Sequence, residues 1–421
     1  MHIPRWSLFY DFHTMPACPD VGAGFDVDAF VDHLQRCGVD YVVFPARCNL
    51  GMAYYNTEVG IRHPSLEYDL LGRLVEACND VGIAVTAYIN VGLSHEEGLR
   101  NRGWLKVSPE GKVYHDQRLG SFFRLMCYNT GYAEHLLAMV REVVSGYGVA
   151  GLFLDCLHRT PCIGHECIDE MKQRGMDWSD TRQQECFARD SQVRMARRIA
   201  EQARAVRDDL LLYFNGVAFE DQADIGTYLE YECLPTGGWG YEMLPYFSRY
   251  LRKLGKPVLN MTGRFHRSWG DFGGIRTEAS LEYDLLKGLA NTLPPTVGGH
   301  YHPRGDINRA VNTLVEKLYT TLHKLEPWTH DAEALADVAV VFPPGFHSPH
   351  QDEFVPAVHS VSGATRMLCE LKQQFDVVSK NLDLAGYRVL VLPDEVTVDD
   401  PLAEKLRAHL DAGGRVVSSA R

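Results

Sequence analysis

The run GLFLDC, residues 151–156, is apolar until it ends on a carboxylate and a thiol. Burying an unpaired carboxylate costs on the order of several kcal/mol, so Asp155 needs an ion-pair partner, a metal or a chemical task. Two more acids, Glu230 and Glu232, lie in a second such run, YLEYECL (228–234), and the period of two along a strand sends both to one face. Two carboxyl groups facing each other across a sugar-sized hollow are what glycosidic bond cleavage requires. Their separation is roughly 5 to 5.5 Å for retention of anomeric configuration and about 6.5 to 9.5 Å for inversion. Other apolar runs end on Asp11 and His13, Arg47 and Asn49, Asn90, Asn215, Arg264 and His266, and His300, His302 and Arg304, with Tyr54, Tyr55, Trp239 and Trp269 in adjoining loops. Rings offer apolar faces to a pyranose while polar groups meet its hydroxyls, so this set suits a sugar. Each residue also has an ordinary structural use: a strand-end Asp caps a helix, a strand-end Glu pairs with an Arg, a loop His or Trp packs. His95-Glu96-Glu97 reads as a solvated helix start, and no second histidine completes a zinc-binding H-E-x-x-H.

Positioning these side chains takes a repeating scaffold. Strand-like runs recur at SLFYDFH (7–13), DYVVFPA (40–46), IAVTAYINV (83–91), GLFLDC, LLLYFNG (210–216), YLEYECL, KPVLNMTG (256–263) and TVGGHYHP (296–303), alternating with helical patterns such as 66–82, 132–147 and 181–207. Eight such repeats predict an α/β fold, a (β/α)8 TIM barrel whose chemistry sits at the C-terminal strand ends. NRGWLKVSPEGKVYHD (101–116) reads as a loop or small hairpin over that end. The pattern then restarts, with strands ADVAVVFPP (336–344) and YRVLVLPDEV (387–396), helix LAEKLRAHLDAGG (402–414) and the strand start RVVSS. The expected division is a barrel over 1–332 and a partial flavodoxin-like domain over 333–421, cut short at Arg421.

Lys plus Arg number 42 against 55 Asp plus Glu, a net charge of -13, which argues against nucleic acid and for a small carbohydrate partner. No stretch approaches the roughly 18 apolar residues of a membrane span, and strand-like sequence begins by Ser7, so a cytoplasmic location without membrane contact is expected. Eleven cysteines at irregular spacing suit free thiols in a reducing compartment. Cys156, Cys162 and Cys167 cluster with His158 and His165, but C-x5-C-x4-C lacks a tight C-x2-C hook. The expectation is a compact loop with buried thiols and no cofactor or metal, zinc being the alternative.

Several strings go further. YDFHTMP, AYYNTEVGIRHPSLEYDLLG, GLFLDC with its cysteine-containing loop, EYECLPTGGWGY, MTGRFHRSWGDFGG and HPRG follow one another in this order. Over residues 5–330 the chain thereby resembles the catalytic barrel of the α-L-fucosidase-like glycoside hydrolases of family 151, and more distantly family 29. Residues 335–421 resemble the first part of the β-galactosidase trimerisation domain, which implies a homo-oligomer, dimer or trimer. The resemblance implies a retaining exo-glycoside hydrolase acting on terminal deoxyhexose or galactose-like residues. Asp155 matches the strand-four nucleophile of family 29, where the motif reads W-F-D-G. Glu230, nine residues before Trp239, matches the acid/base best, with Glu232 next. His13, His266, Trp239 and Trp269 are the residues expected to bind the sugar, with Arg264 and Asp271 as further candidates. One string departs: related fucosidases carry His-His where ARCNLGM places Asn49 and Leu50. Leu50 cannot donate a hydrogen bond, a loss of roughly 1–3 kcal/mol at a site built for a hydroxyl. A carbohydrate-binding protein of the same fold without turnover is the rival reading, and a zinc hydrolase built on the Cys156–Cys167 loop is a third.

Overall fold

The computed structural model describes residues 3–114, 123–342 and 359–419. Eight strands, β1 (Ser7–Asp11), β2 (Tyr41–Arg47), β3 (Ala84–Asn90), β4 (Gly151–Asp155), β5 (Leu211–Phe214), β6 (Leu229–Glu232), β7 (Val258–Gly263) and β8 (Pro295–His300), form one sheet in the order β5-β4-β3-β2-β1-β8-β7-β6. This is a nearly closed (β/α)8 barrel. By density of contacts the chain divides into two compact units, residues 1–228 with 297–317, and 229–296 with 318–421.

In the first unit the strands are enclosed almost throughout, which is why they read as continuous apolar runs rather than alternating ones. Aromatic side chains fill the space within: Phe9, Tyr88, Phe153 and Tyr213 meet with ring centroids 4.8–5.9 Å apart, and the hydroxyls of Tyr41 and Tyr228 join at 2.8 Å. Helices α1 (Val27–Cys37), α2 (Leu70–Asp80), α3 (His95–Arg100), α4 (Tyr132–Gly146), α5 (His165–Gln173) and α6 (Thr181–Arg204) follow the strands. Their starts are set by side-chain caps: Asp26, Asp69 and Asp180 each accept an amide hydrogen three residues on. Residues 101–114 form the expected hairpin, with Val107 bridged to Val113 around the Pro-Glu-Gly turn; His115 and Asp116 lie outside the described residues.

Helix α3 corrects one expectation. Ser94 caps it as its sequence suggests, but Glu97 is buried rather than solvated. Its carboxylate holds the buried Arg47 guanidinium at 2.5 Å and His135 at 2.7 Å.

In the second unit, β6 and β7 pair with Glu232 opposite Met261. A separate four-stranded parallel sheet comprises β9 (Val338–Phe342), β10 (Phe375–Ser379), β11 (Val389–Leu392) and β12 (Arg415–Ser418), in the order β10-β9-β11-β12. Ala339, Val341, Val378, Leu390, Leu392 and Leu402 form its core. Strand β10 escaped the sequence reading because Asp376 breaks its apolar run. That buried carboxylate is held by Arg252 at 2.7 Å and the Tyr387 hydroxyl at 2.8 Å. Among the described residues no helix is long and apolar enough to cross a membrane.

Candidate active site

Strands β3 and β4 pair so that Asn90 lies beside Asp155. Asp155 ends its strand half-buried, and four neutral groups hold its carboxylate. Tyr88 Oη (2.5 Å), Cys156 Sγ (3.1 Å) and Asn90 Nδ2 (3.3 Å) donate to Oδ2, while Asn215 Nδ2 (2.9 Å) donates to Oδ1. Among the described residues no cation pairs with it. The partners come from three adjacent strand ends. On β3, the period of two puts Thr86, Tyr88 and Asn90 on one face. Among the described residues the network thus fixes the carboxylate through neutral donors.

The backbone just after Asp155 is unusual. Cys156 has φ +57°, the left-handed region that costs a non-glycine residue about 1–2 kcal/mol. Its carbonyl lies so near Gly92 that a Cβ there would sit 1.7 Å from the oxygen. The turn holds the thiol against the carboxylate.

A second constellation adjoins the first. His13 donates to Asp11 at 3.1 Å, and its ring lies 5.9 Å from Tyr88 and 5.7 Å from His300. Burial alone would lower its pKa, but the Asp11 carboxylate and the Cys48 sulfur push it up to about 10, so the ring is an imidazolium at neutral pH. Cys48 moves the other way: burial raises it, and His13 and Tyr54 bring it down to about 7. Tyr54 is fully buried and shares a hydrogen with Thr14 Oγ1 at 2.8 Å, which makes it a support for this pair rather than an open contact. Asn49 keeps its side-chain carbonyl buried.

Other residues singled out from the sequence are used elsewhere. Tyr55 is buried and gives its hydroxyl to Glu142 at 2.9 Å. His302 and Arg304 are exposed, and Arg304 pairs with Asp20 and Asp306.

In the second unit, β6 carries both glutamates on one face of the strand. Glu230 is wholly buried, and loss of water pushes its carboxyl up to about 8 against the opposing hydrogen bond of Thr296. Glu232, two residues on at the strand end, keeps 9% exposure. Residues 264–274 form a loop built on Arg264, whose guanidinium binds the carbonyls of Asp271 (3.1 Å) and Gly274 (2.9 Å). Asp271 accepts the amides of Arg267 and Gly274, Trp269 packs on Phe265 at 5.1 Å, and His266 is exposed. Arg264 and Asp271 therefore shape this loop; Trp269 and Trp239 are half-buried on their own loops.

Sequence reading passed over Tyr88, Cys48 and Cys156 as partners of the carboxylate and imidazole. Tyr88 was legible in principle, since it lies two residues before Asn90 on the same strand face. Cys48 was not, because its role depends on His13 arriving from β1.

A barrel presenting a fixed carboxylate at a strand end is an architecture that glycoside hydrolases share with other barrel enzymes, and the comparisons point to the glycoside hydrolases. Residues 26–156 match the family described as hypothetical glycosyl hydrolase 6, and residues 357–421 match the β-galactosidase trimerisation domain. The chain resembles the α-L-fucosidase-like glycoside hydrolases, joined to the start of a β-galactosidase trimerisation-type domain. Alpha-L-fucosidase isoenzyme 2 from Paenibacillus thiaminolyticus superposes with a TM-score of 0.93 at 32% identity, over 99% of this chain and 64% of that one, so the chain spans less than two thirds of this relative. β-Galactosidases from Rahnella sp. R3 (TM-score 0.71, 16% identity, 96% and 71% covered) and Bacillus circulans sp. alkalophilus (0.73, 14%, 95% and 71%) share the fold. No functionally curated sequence matches.

Proposed function

We propose that the chain is the catalytic part of a retaining exo-glycosidase of α-L-fucosidase type, acting on a terminal deoxyhexose or galactose-like residue. The observation that carries this reading is Asp155: a strand-end carboxylate, half-buried, held by four neutral donors. An oxygen of Asp155 attacks the anomeric carbon as the glycosidic bond breaks, and a carboxylic acid gives its proton to the departing oxygen. A glycosyl ester of Asp155 results. The same second group, now a carboxylate, takes a proton from water, which attacks the anomeric carbon and releases the sugar with its configuration retained. His13, whose Nε2–H is held by Asp11 and whose Nδ1 is buried, places a positive charge beside Tyr88, a partner of Asp155, and in this reading acts on the sugar through that charge.

For the proton donor the two glutamates divide the requirements. Glu230 keeps its proton at neutral pH but is wholly enclosed, whereas Glu232, two residues on, ends the strand and keeps 9% exposure. We assign the donor to Glu232, with Glu230 as the alternative favoured by its spacing from Trp239. A proton-donor variant loses most activity on substrates with poor leaving groups and keeps it on activated aryl glycosides. Glu232→Gln is expected to show that split, and Glu230→Gln showing it instead reverses the assignment.

The reading is tested with aryl α-L-fucoside, β-galactoside and α-galactoside, following the anomer first released by NMR. Turnover of one of them with retention is expected. Binding without turnover of any selects the rival, a carbohydrate-binding protein, for which the buried Leu50 in place of a histidine is the supporting observation. The tail resemblance supports self-association of the chain as a dimer or trimer.

A further inference from the structure

Three cysteines from two separate stretches of the chain converge at the strand-four loop. Cys127 lies in the segment entering α4, Cys162 in the loop after β4, and Cys167 in the first turn of α5. Their sulfurs all lie within 4.8 Å of one another, with Cys127 Sγ 3.4 Å from Cys167 Sγ and 3.8 Å from Cys162 Sγ. This is not the trio that spacing suggests: Cys156 is spent on Asp155, and Cys127 takes its place.

We propose that this trio is a thiolate site for zinc. Tetrahedral zinc with Zn–S bonds of about 2.3 Å holds its sulfurs about 3.8 Å apart, close to the separations found. The sulfurs are also provided with donors that favour the thiolate form. The amides of Val107 and Gly164 point to Cys162 Sγ at 3.4 Å, and Asn129 Nδ2 points to Cys167 Sγ at 3.3 Å. Such second contacts orient a ligand and hold its charge. Charge balance agrees. Three thiolates and Zn2+ sum to one negative charge, and the buried Lys106 lines the same hollow, its ammonium tethered to the carbonyls of His158 (3.0 Å) and Thr160 (3.3 Å). The hollow measures about 10 Å³ and is lined also by Asn129 and Ser191. That is room for about one water, the natural fourth ligand where the protein supplies three. Met171 and Phe187 pack with the three cysteines in one apolar cluster.

Binding is the exchange of three thiol protons for one metal ion, with no change of oxidation state. Its effect is a clasp between the segment entering α4 and the loop that leaves Asp155. The proposal is independent of the catalytic reading, because it rests on residues that do not touch Asp155.

The test is metal analysis of the whole chain produced in zinc-supplemented medium and dialysed under reducing conditions, together with cobalt titration of the chelator-stripped protein. One equivalent of zinc is expected, along with a thiolate-to-cobalt charge-transfer band that saturates at one equivalent. Cys127→Ser, Cys162→Ser and Cys167→Ser should each weaken zinc binding at least tenfold, while Cys186→Ser, at an exposed thiol, should not. Below about a tenth of an equivalent of zinc, with no cobalt band in the wild-type chain, the proposal is overturned. It is equally overturned by peptide mapping that finds Cys127 and Cys167 joined as a disulfide in protein kept reduced. The cobalt measurement needs no variant, so a substitution that unfolds the loop does not obscure the result.

Discussion

Asp155 and Cys156 form a unit in which one residue has a chemical task and the next bears a conformational cost on its behalf. Cys156 sits at φ +57° with its thiol 3.1 Å from the carboxylate, at the position where the family 29 motif W-F-D-G has glycine. Glycine adopts that backbone without penalty, so Cys156→Gly is expected to stabilise the protein by up to about 1 kcal/mol. The same change removes one donor to Oδ2 and should lower kcat/KM about two- to tenfold, the worth of an ordinary hydrogen bond. Thermal unfolding and steady-state kinetics on the one variant read both effects, and unchanged kinetics would show the thiol to be idle. Asp155 itself was legible as a carboxylate in an apolar strand. Its partners were less so, because Asn215 and Asn90 become neighbours only when β3, β4 and β5 pair.

At the level of elements, the chain announces its strands through apolar runs and its helices through apolar residues at helical spacing, and the structure follows them to within a few residues. Two failures have a common cause, a charged residue whose counter-charge is far away in sequence. Asp376 hid β10 until Arg252 reached it, and Glu97 was taken for a solvated residue because Arg47 lies 50 positions away. The Arg47–Glu97 pair supports the site directly, since Arg47 also donates to the carbonyl oxygens of Asn90 and Leu93. Burial would raise Glu97, but the Arg47 charge and His135 bring it down to about 2. Its contribution to stability is therefore present above the unfolded-state pKa of about 4.3 and is lost as pH falls toward about 2. Glu97→Gln leaves a buried guanidinium without its counter-charge and is expected to cost about 3–5 kcal/mol at pH 7. Urea denaturation at pH 7 and pH 3 measures this, and the gap between variant and parent should narrow at the lower pH. A variant as stable as the parent at pH 7 contradicts the role given to this pair.

For the whole molecule, Glu230 predicts how stability varies with pH. Its carboxyl, raised to about 8 by burial, holds a proton in the folded state over a range where the unfolded chain has released it. The folded state then binds more protons than the unfolded one, so stability falls as pH rises from about 4.3 toward 8, by at most about 1.4 kcal/mol per pH unit from this group. Glu230→Gln should flatten that slope and be the more stable protein at pH 8; equal slopes in calorimetry would place the carboxyl in a wetter setting. The central claim, however, is that Asp155 is a nucleophile, and one measurement addresses it most directly: Asp155→Gly assayed with and without sodium azide on the aryl glycoside that the parent hydrolyses. Activity should drop by several orders of magnitude and return in part with azide, yielding a glycosyl azide of inverted configuration. Near-parent turnover in Asp155→Gly without azide would contradict the account.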